Sequence, residues 1–286
     1  MLVEIAIGDA YGAGMEYADA DFVRRHNTVS GYVAHPRHQI GLGRYTDDAQ
    51  MTIAVTEVLL TRDFTAQRFA DAFVSCFKRD QRVGYAGGFY KFLCSVADGS
   101  DFIAQIKPFS DKSGGAMRAA TLGILPDVET VRRVSTMQAA LTHNTTDGIN
   151  AAVAASLTAH YFLYGLGAKR DLGKFLEVHV PGRTWSAPWR EPVGEKGWQS
   201  VHAAVSAIIT SNSMTELLRT CIGYTGDVDT VAAVAMGAAA ACSEIKKDTP
   251  KALIDGLENG AYGRRYLLDL DAQLAAELAY YQGKCK

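Results

Sequence analysis

Apolar positions recur along this chain at helical spacing. Behind Thr46 they fall at Met51, Ala54, Val55, Val58 and Leu59, the pattern that paints one face of a helix. Residues 151–164 are apolar almost all round, as in a buried helix, and 231–243 are similar and rich in alanine, the best helix former. Further helices are predicted over 65–79, 128–140, 199–210, 213–221 and 265–281. Strand-like alternation is confined to SGYVAH (30–35), a weak candidate. The pattern predicts an all-α protein. No repeat, low-complexity tract or linker divides it, so residues 1–286 read as a single domain.

Between the helical stretches the glycines are clustered, in GDAYGAG (8–14), GLG (41–43), GYAGG (84–88), SGG (113–115) and GYTGD (223–227). They read as loops that end helices or let a ligand approach the backbone. Residues 179–198 hold three of the seven prolines and all three tryptophans. That segment reads as a long connection, a lid or surface cover.

Composition narrows the function. A hydrophobic content of 48% supports a substantial core. A net charge of −2, from 29 basic and 31 acidic residues, gives no strong nucleic-acid signal. The apolar run 231–242 is about half of what a membrane span needs, so no membrane association is expected. The N-terminal MLVEIAIGDAYGAG lacks the basic region of a signal peptide. Five widely spaced cysteines form no CxxC pair, which points to a reducing, cytoplasmic setting.

Two segments carry candidate chemistry. Thr46-Asp47-Asp48 and Asp227-Val228-Asp229-Thr230 both run into apolar helices. Thr46 reads as an N-cap, and acidic residues in a first helical turn are favoured by the helix dipole. The same carboxylate and hydroxyl oxygens are hard ligands, suited to Mg²⁺, Mn²⁺ or Ca²⁺. If the two helix starts converge, four carboxylates share one site, and a two-metal centre resolves their repulsion. Glu16 is a third acidic position, either a surface glutamate after a glycine turn or a mobile carboxylate gating the metals. His143, ahead of a buried helix, is either a structural hydrogen-bonding residue or a ligand. His26, His35 and His38 lie in a polar loop and read as solvated surface.

The ordered set of motifs resembles the ADP-ribosylglycohydrolase family. GDAYGAGME (8–16), YTDDAQMT (45–52), GYAGGFYKFL (84–93), SGGAMRAATLGIL (113–125), LTH (141–143) and GWQSVHAAVSAI (197–208) followed by GDVDTVAAVAMGA (226–238) stand in the family's order. The resemblance implies a compact all-α bundle and two divalent cations, usually Mg²⁺ or Mn²⁺. It makes Thr46, Asp47, Asp48, Asp227, Asp229 and Thr230 the metal ligands and Glu16 a mobile carboxylate, with Glu16, Asp47 and Asp48 as the catalytic group. It assigns substrate binding to Gly84, Tyr85, Gly87, Gly88, Ser113, Gly114, Gly115, Met117 and His143. The implied reaction is water attack at C1″ of ADP-ribose carried by a modified protein or a small conjugate. The sequence departs from the family pattern at Thr225, where a second glycine is common. Only seven residues precede GDAYG, which implies a short first helix. His143 is followed by Asn-Thr-Thr instead of a nearby proline.

Two other readings compete. DVDTV (227–231) fits the aspartyl-nucleophile motif of Mg²⁺-dependent phosphatases, which follows a hydrophobic strand. A catalytically silent ADP-ribose-binding or structural protein of the same fold is the other.

Overall fold

The computed structural model describes residues 1–284. Its α-helices are α1 (Leu2–Ala13), α2 (Ala20–His26), α3 (Asp47–Thr61), α4 (Ala66–Arg79), α5 (Gly87–Ser95), α6 (Gly99–Gln105), α7 (Gly114–Met117), α8 (Val128–Ala140), α9 (Thr146–Leu163), α10 (Leu172–His179), α11 (Gly197–Thr210), α12 (Met214–Gly223), α13 (Val228–Ala239), α14 (Lys251–Gly256) and α15 (Arg264–Lys284). The all-α reading holds. Among the described residues only isolated bridges occur, and 30–35 is irregular, not a strand. The apolar pattern located α4, α8, α9, α11, α12, α13 and α15, because each has enough periodic residues to mark a face. No helix among the described residues is long and apolar enough to cross a membrane.

The main departure is α1. GDAYGA lies inside this helix and is not a loop, so the first helix is 12 residues long, not short. Its glycines serve close packing. A Cβ on Gly8 would lie 2.6 Å from the Ala232 carbonyl carbon, and one on Gly12 would lie 2.4 Å from the Cα of Asp229. On the facing helix, a Cβ on Gly237 would lie 2.5 Å from Ile5 Cγ1. The order of these contacts makes α1 and α13 antiparallel neighbours whose backbones nearly touch. Both are buried along almost their whole length. Helix axes come this close only where side chains at the contact are absent or small.

That packing carries functional geometry, since Gly12 sets the end of α1 against Asp229. Gly12→Ala is therefore expected to force the two backbones apart and to cost about 2–3 kcal/mol, the scale of overpacking a tight core. Gly87→Ala is the control: an added Cβ there meets nothing within 4 Å, so stability should hold or rise by up to about 1 kcal/mol. Equal destabilisation of the two variants in denaturant titrations would refute this account of the α1–α13 contact.

Residues 180–196 form the expected irregular connection, anchored by tryptophan. Trp185 is fully buried and donates to the Val180 carbonyl at 2.9 Å. The far end of the connection braces an acidic loop: Val193 N donates to Thr225 O at 2.9 Å, and Asp227 N donates to Val193 O at 3.0 Å. Thr225 and Gly226 both take left-handed backbone, φ 64° and 89°. Thr225 thus keeps the conformation in which glycine is at ease, despite its branched Cβ.

Candidate metal centre

Helices α3 and α13 start at the floor of one cavity of about 630 Å³. Asp47, Asp48, Asp227, Asp229, Thr230 and Glu16 all line it. Glu16, Asp227 and Asp229 each bring a carboxylate oxygen within 4.8 Å of the others. Glu16 is not a surface glutamate: it follows the C-terminal end of α1 and faces inward, half-buried.

Asp9 explains how α3 is held, and the sequence reading gave it no role. This carboxylate, on α1, is fully buried. It accepts from Thr46 N at 2.9 and 3.0 Å, from Thr46 Oγ1 at 2.7 Å and from Ala49 N at 2.8 Å. Thr46 occupies the N-cap position of α3, but its side chain does not cap. Asp9 supplies the cap from another helix. Thr46 does not line the cavity; its hydroxyl hydrogen is committed to Asp9, while its oxygen keeps lone pairs. In the sequence Asp9 shows only as a charge within GDAYGAG, on a helix whose other charge is Glu4 in the first turn.

On the α13 side, Ser200 Oγ donates to Asp227 Oδ2 at 2.8 Å, and Thr230 N donates to Asp229 Oδ1 at 2.9 Å. Gly84, at φ 106°, passes directly over the other group: a Cβ there would lie 2.0 Å from Asp47 Oδ1.

The electrostatics are those of an anion cluster short of cations. Burial, then the charge of Asp9, holds Asp47 well above the usual carboxylate range; burial, then Asp47, does the same for Asp48. Burial and the neighbouring Glu16 and Asp48 raise Asp229. Burial, then Asp227 and Asp9, pushes Glu16 up to about 7. Asp9 rises to about 6 through burial, against the pull of its hydrogen bonds. Asp48 Oδ1 is buried and has no hydrogen-bond partner among the described residues. A buried, unpartnered carboxylate oxygen is costly unless something positive meets it. The donor set is all hard oxygen, so these residues fit divalent cations of the Mg²⁺ or Mn²⁺ kind.

The rest of the cavity differs in character. Phe89 and Phe92 on α5 are stacked, centroids 6.0 Å apart and planes 21° apart, and both line the wall. Gly84, Gly88, Ser113, Gly114, Met117 and His143 also line it. Gly87 is exposed beside it. Tyr85 and Gly115 do not face the cavity. The Tyr85 ring is buried and its hydroxyl donates to Gln50 Oε1 at 2.8 Å, while the Gly115 carbonyl accepts from Gln138 Nε2 at 3.0 Å.

His143 is oriented from behind. Arg118, buried and paired with no carboxylate among the described residues, donates to Gln138 Oε1 at 2.6 Å and to Thr142 Oγ1 at 2.8 Å. Thr142 Oγ1 lies 2.7 Å from His143 Nδ1. With its oxygen accepting from Arg118, the hydroxyl hydrogen is directed to Nδ1, leaving Nε2 as the N–H side of the ring. Burial and Arg118 push His143 down to about 3, so it is neutral.

His35 corrects the solvated-surface reading. Its ring is buried, its Nε2 lies 2.8 Å from Glu16 O, and its Nδ1 accepts from Arg37 N and His38 N at 3.0 and 2.9 Å. The phosphatase reading fails on fold, because the residues before DVDTV form α12 and not a strand.

A sequence profile of the ADP-ribosylglycohydrolase family matches residues 1–283. The chain belongs to the ADP-ribosylglycohydrolase family. Within it, ADP-ribosylhydrolase ARH3 of Mus musculus is 30% identical over 145 residues, which are 48% of this chain and 39% of the mouse protein. ADP-ribosylhydrolase ARH3 of Gallus gallus is 32% identical over 145 residues, 48% of this chain and 40% of the chicken protein. These matches span less than half the length of either relative. A solved structure titled ADP-ribosylglycohydrolase-related protein complex superposes with a TM-score of 0.71 at 20% identity, covering 98% of this chain and 95% of that one. At that identity the likeness establishes the shared fold.

Proposed function

We propose that this protein is a metal-dependent hydrolase that cleaves the glycosidic bond between ADP-ribose and a modified protein side chain, in a reducing cytoplasmic compartment. The observation that carries this reading is the buried acidic cluster at one end of a cavity whose wall also bears Phe89 and Phe92. Acidic oxygens beside vicinal hydroxyls, and a flat aromatic wall beside a base, suit the two ends of ADP-ribose. Lys107, Lys112 and His143 line the same cavity and suit a diphosphate.

Thr46, Asp47, Asp48, Asp227, Asp229 and Thr230 would hold two divalent cations, Mg²⁺ or Mn²⁺. Bound there, the cations would supply Lewis-acid stabilisation and orient the ribose hydroxyls. Glu16 does the proton work. Its carboxylate faces the cluster from beyond the end of α1, placed to take a proton from the attacking water and pass it to the departing acceptor. The C1″–acceptor bond breaks through an oxocarbenium-like state as the C1″–oxygen bond to water forms. The cavity floor of helix starts holds its carboxylates rigidly, so little reorganisation accompanies the charge that develops.

The test is release of free ADP-ribose from arginine-linked and serine-linked peptides and from an O-acyl conjugate, each with Mg²⁺, Mn²⁺ or chelator. Cation-dependent release from at least one is expected. Tight ADP-ribose binding without release from any of them would refute the hydrolase reading and favour the silent binder.

A further inference from the structure

The residue that carries Glu16 does not hold itself in place. Tyr17 follows it at φ 46°, the left-handed region that non-glycine residues occupy at a cost of about 1–2 kcal/mol. Three external bonds keep this corner. Glu16 O accepts from His35 Nε2 at 2.8 Å. The N–H of the same peptide unit, on Tyr17, donates to Gly226 O at 2.9 Å. Tyr17 O accepts from the guanidinium of Arg37. One peptide plane is thus clamped between His35 and the residue immediately before Asp227.

The His35 ring is itself pinned. Its Nδ1 accepts the backbone N–H groups of Arg37 and His38, so the ring hydrogen is on Nε2 and points at Glu16 O. The loop around it rests directly on the end of α1, where a Cβ on Gly14 would lie 2.3 Å from Val33 O. We propose that His35 is a positioning residue for Glu16, its ring holding the Glu16–Tyr17 peptide against the Asp227 loop so that the Glu16 carboxylate is presented to the acidic cluster in this conformation. The proposal rests on the reading of Glu16 as the proton-transfer group. The clamp itself is a matter of geometry and is testable without it.

Two substitutions separate the two faces of the ring. In His35→Asn the side-chain oxygen replaces Nδ1 as acceptor for the loop amides but has no donor reaching Glu16 O. In His35→Gln an amide N–H reaches the Nε2 position. His35→Asn should speed hydrogen exchange of the Tyr17 amide roughly tenfold while leaving helix amides unchanged. It should lower kcat on the order of 10–100-fold, the scale of a misplaced catalytic group, with KM within about threefold of wild type. His35→Gln should recover most of both. In a Glu16→Gln background, His35→Asn should cost less than about threefold more, because residues acting through one another are non-additive. An unchanged Tyr17 exchange rate, or a full additional loss of kcat in the Glu16→Gln background, would overturn the proposal. If the wild-type protein releases no ADP-ribose, the hydrolase reading falls, and the Tyr17 exchange rates of the Asn and Gln variants still decide the clamp.

Discussion

Asp48→Asn should reduce hydrolysis by about 10³-fold or more and at the same time raise the melting temperature of the metal-free protein. The two effects have one cause. Asp48 is buried among Asp47, Asp9 and Asp227, with one oxygen unpartnered. Burial, then the charges of Asp47, Asp9 and Asp227, hold Asp48 well above the usual carboxylate range, so near neutral pH its carboxyl works against the metal-free fold. That cost opposes the helix-start benefit of an acid in the first turn of α3, typically about 0.3–1 kcal/mol. Removing one charge therefore relieves the empty fold, by about 2–4 °C in melting temperature for each kcal/mol. On the proposed metal-dependent reading it also removes a hard anionic ligand, and loss of that stabilisation in the transition state is worth several kcal/mol, or roughly three decades in rate. Turnover and thermal melts in chelator check both halves. If Asp48 merely decorates a helix start, the mutant will keep its activity and melt slightly lower.

The second large effect is a cation stabilisation that grows with pH. Glu16 and Asp9 sit at about 7 and about 6, above their unfolded values of 4.5 and 3.8, and Asp47, Asp48 and Asp229 are raised as well. A raised carboxylate favours the folded state in its protonated form. Its contribution is complete below the unfolded value and is lost as pH climbs to the folded one, from about 4 to 7. The histidines His35, His143, His160, His179 and His202, all lowered by burial, run the other way over part of this range. The informative quantity is therefore the difference between melts in Mn²⁺ and in chelator, in which the histidine contributions cancel. That difference should be small near pH 5 and reach several kcal/mol equivalents by pH 7.5, a ligand at 100 times its Kd adding about 2.7 kcal/mol. Glu16→Gln should flatten its pH dependence. A difference that is constant with pH would show that protons and cations do not compete for this cluster.

The helical architecture was legible because amphipathic and all-apolar stretches repeat their spacing within single segments. The acidic helix starts were legible for the same reason: Thr46-Asp47-Asp48 and Asp227-Val228-Asp229-Thr230 are each local, and each precedes an apolar run. Helix α1 was misread because Gly8, Gly12 and Gly14 signal a loop by local propensity. Tertiary contact overrides that signal, since only glycine lets α1 lie against α13. Helix α5 escaped for a similar reason, beginning at Gly87 and Gly88.

What the sequence by itself determined is the helical class, the family resemblance and the identity of the carboxylates. Those are properties of residue type and short-range spacing. Only the tertiary structure decided how the carboxylates are served. Asp9 caps α3 from a helix 37 residues away, Ser200 holds Asp227, Arg118 orients His143 through Thr142, and His35 grips the Glu16 carbonyl. Each of these is a hydrogen bond between segments distant in sequence. Its two ends carry no mutual signal in composition or periodicity, because a donor and an acceptor pair by position in space, and those positions exist only once the helices have packed.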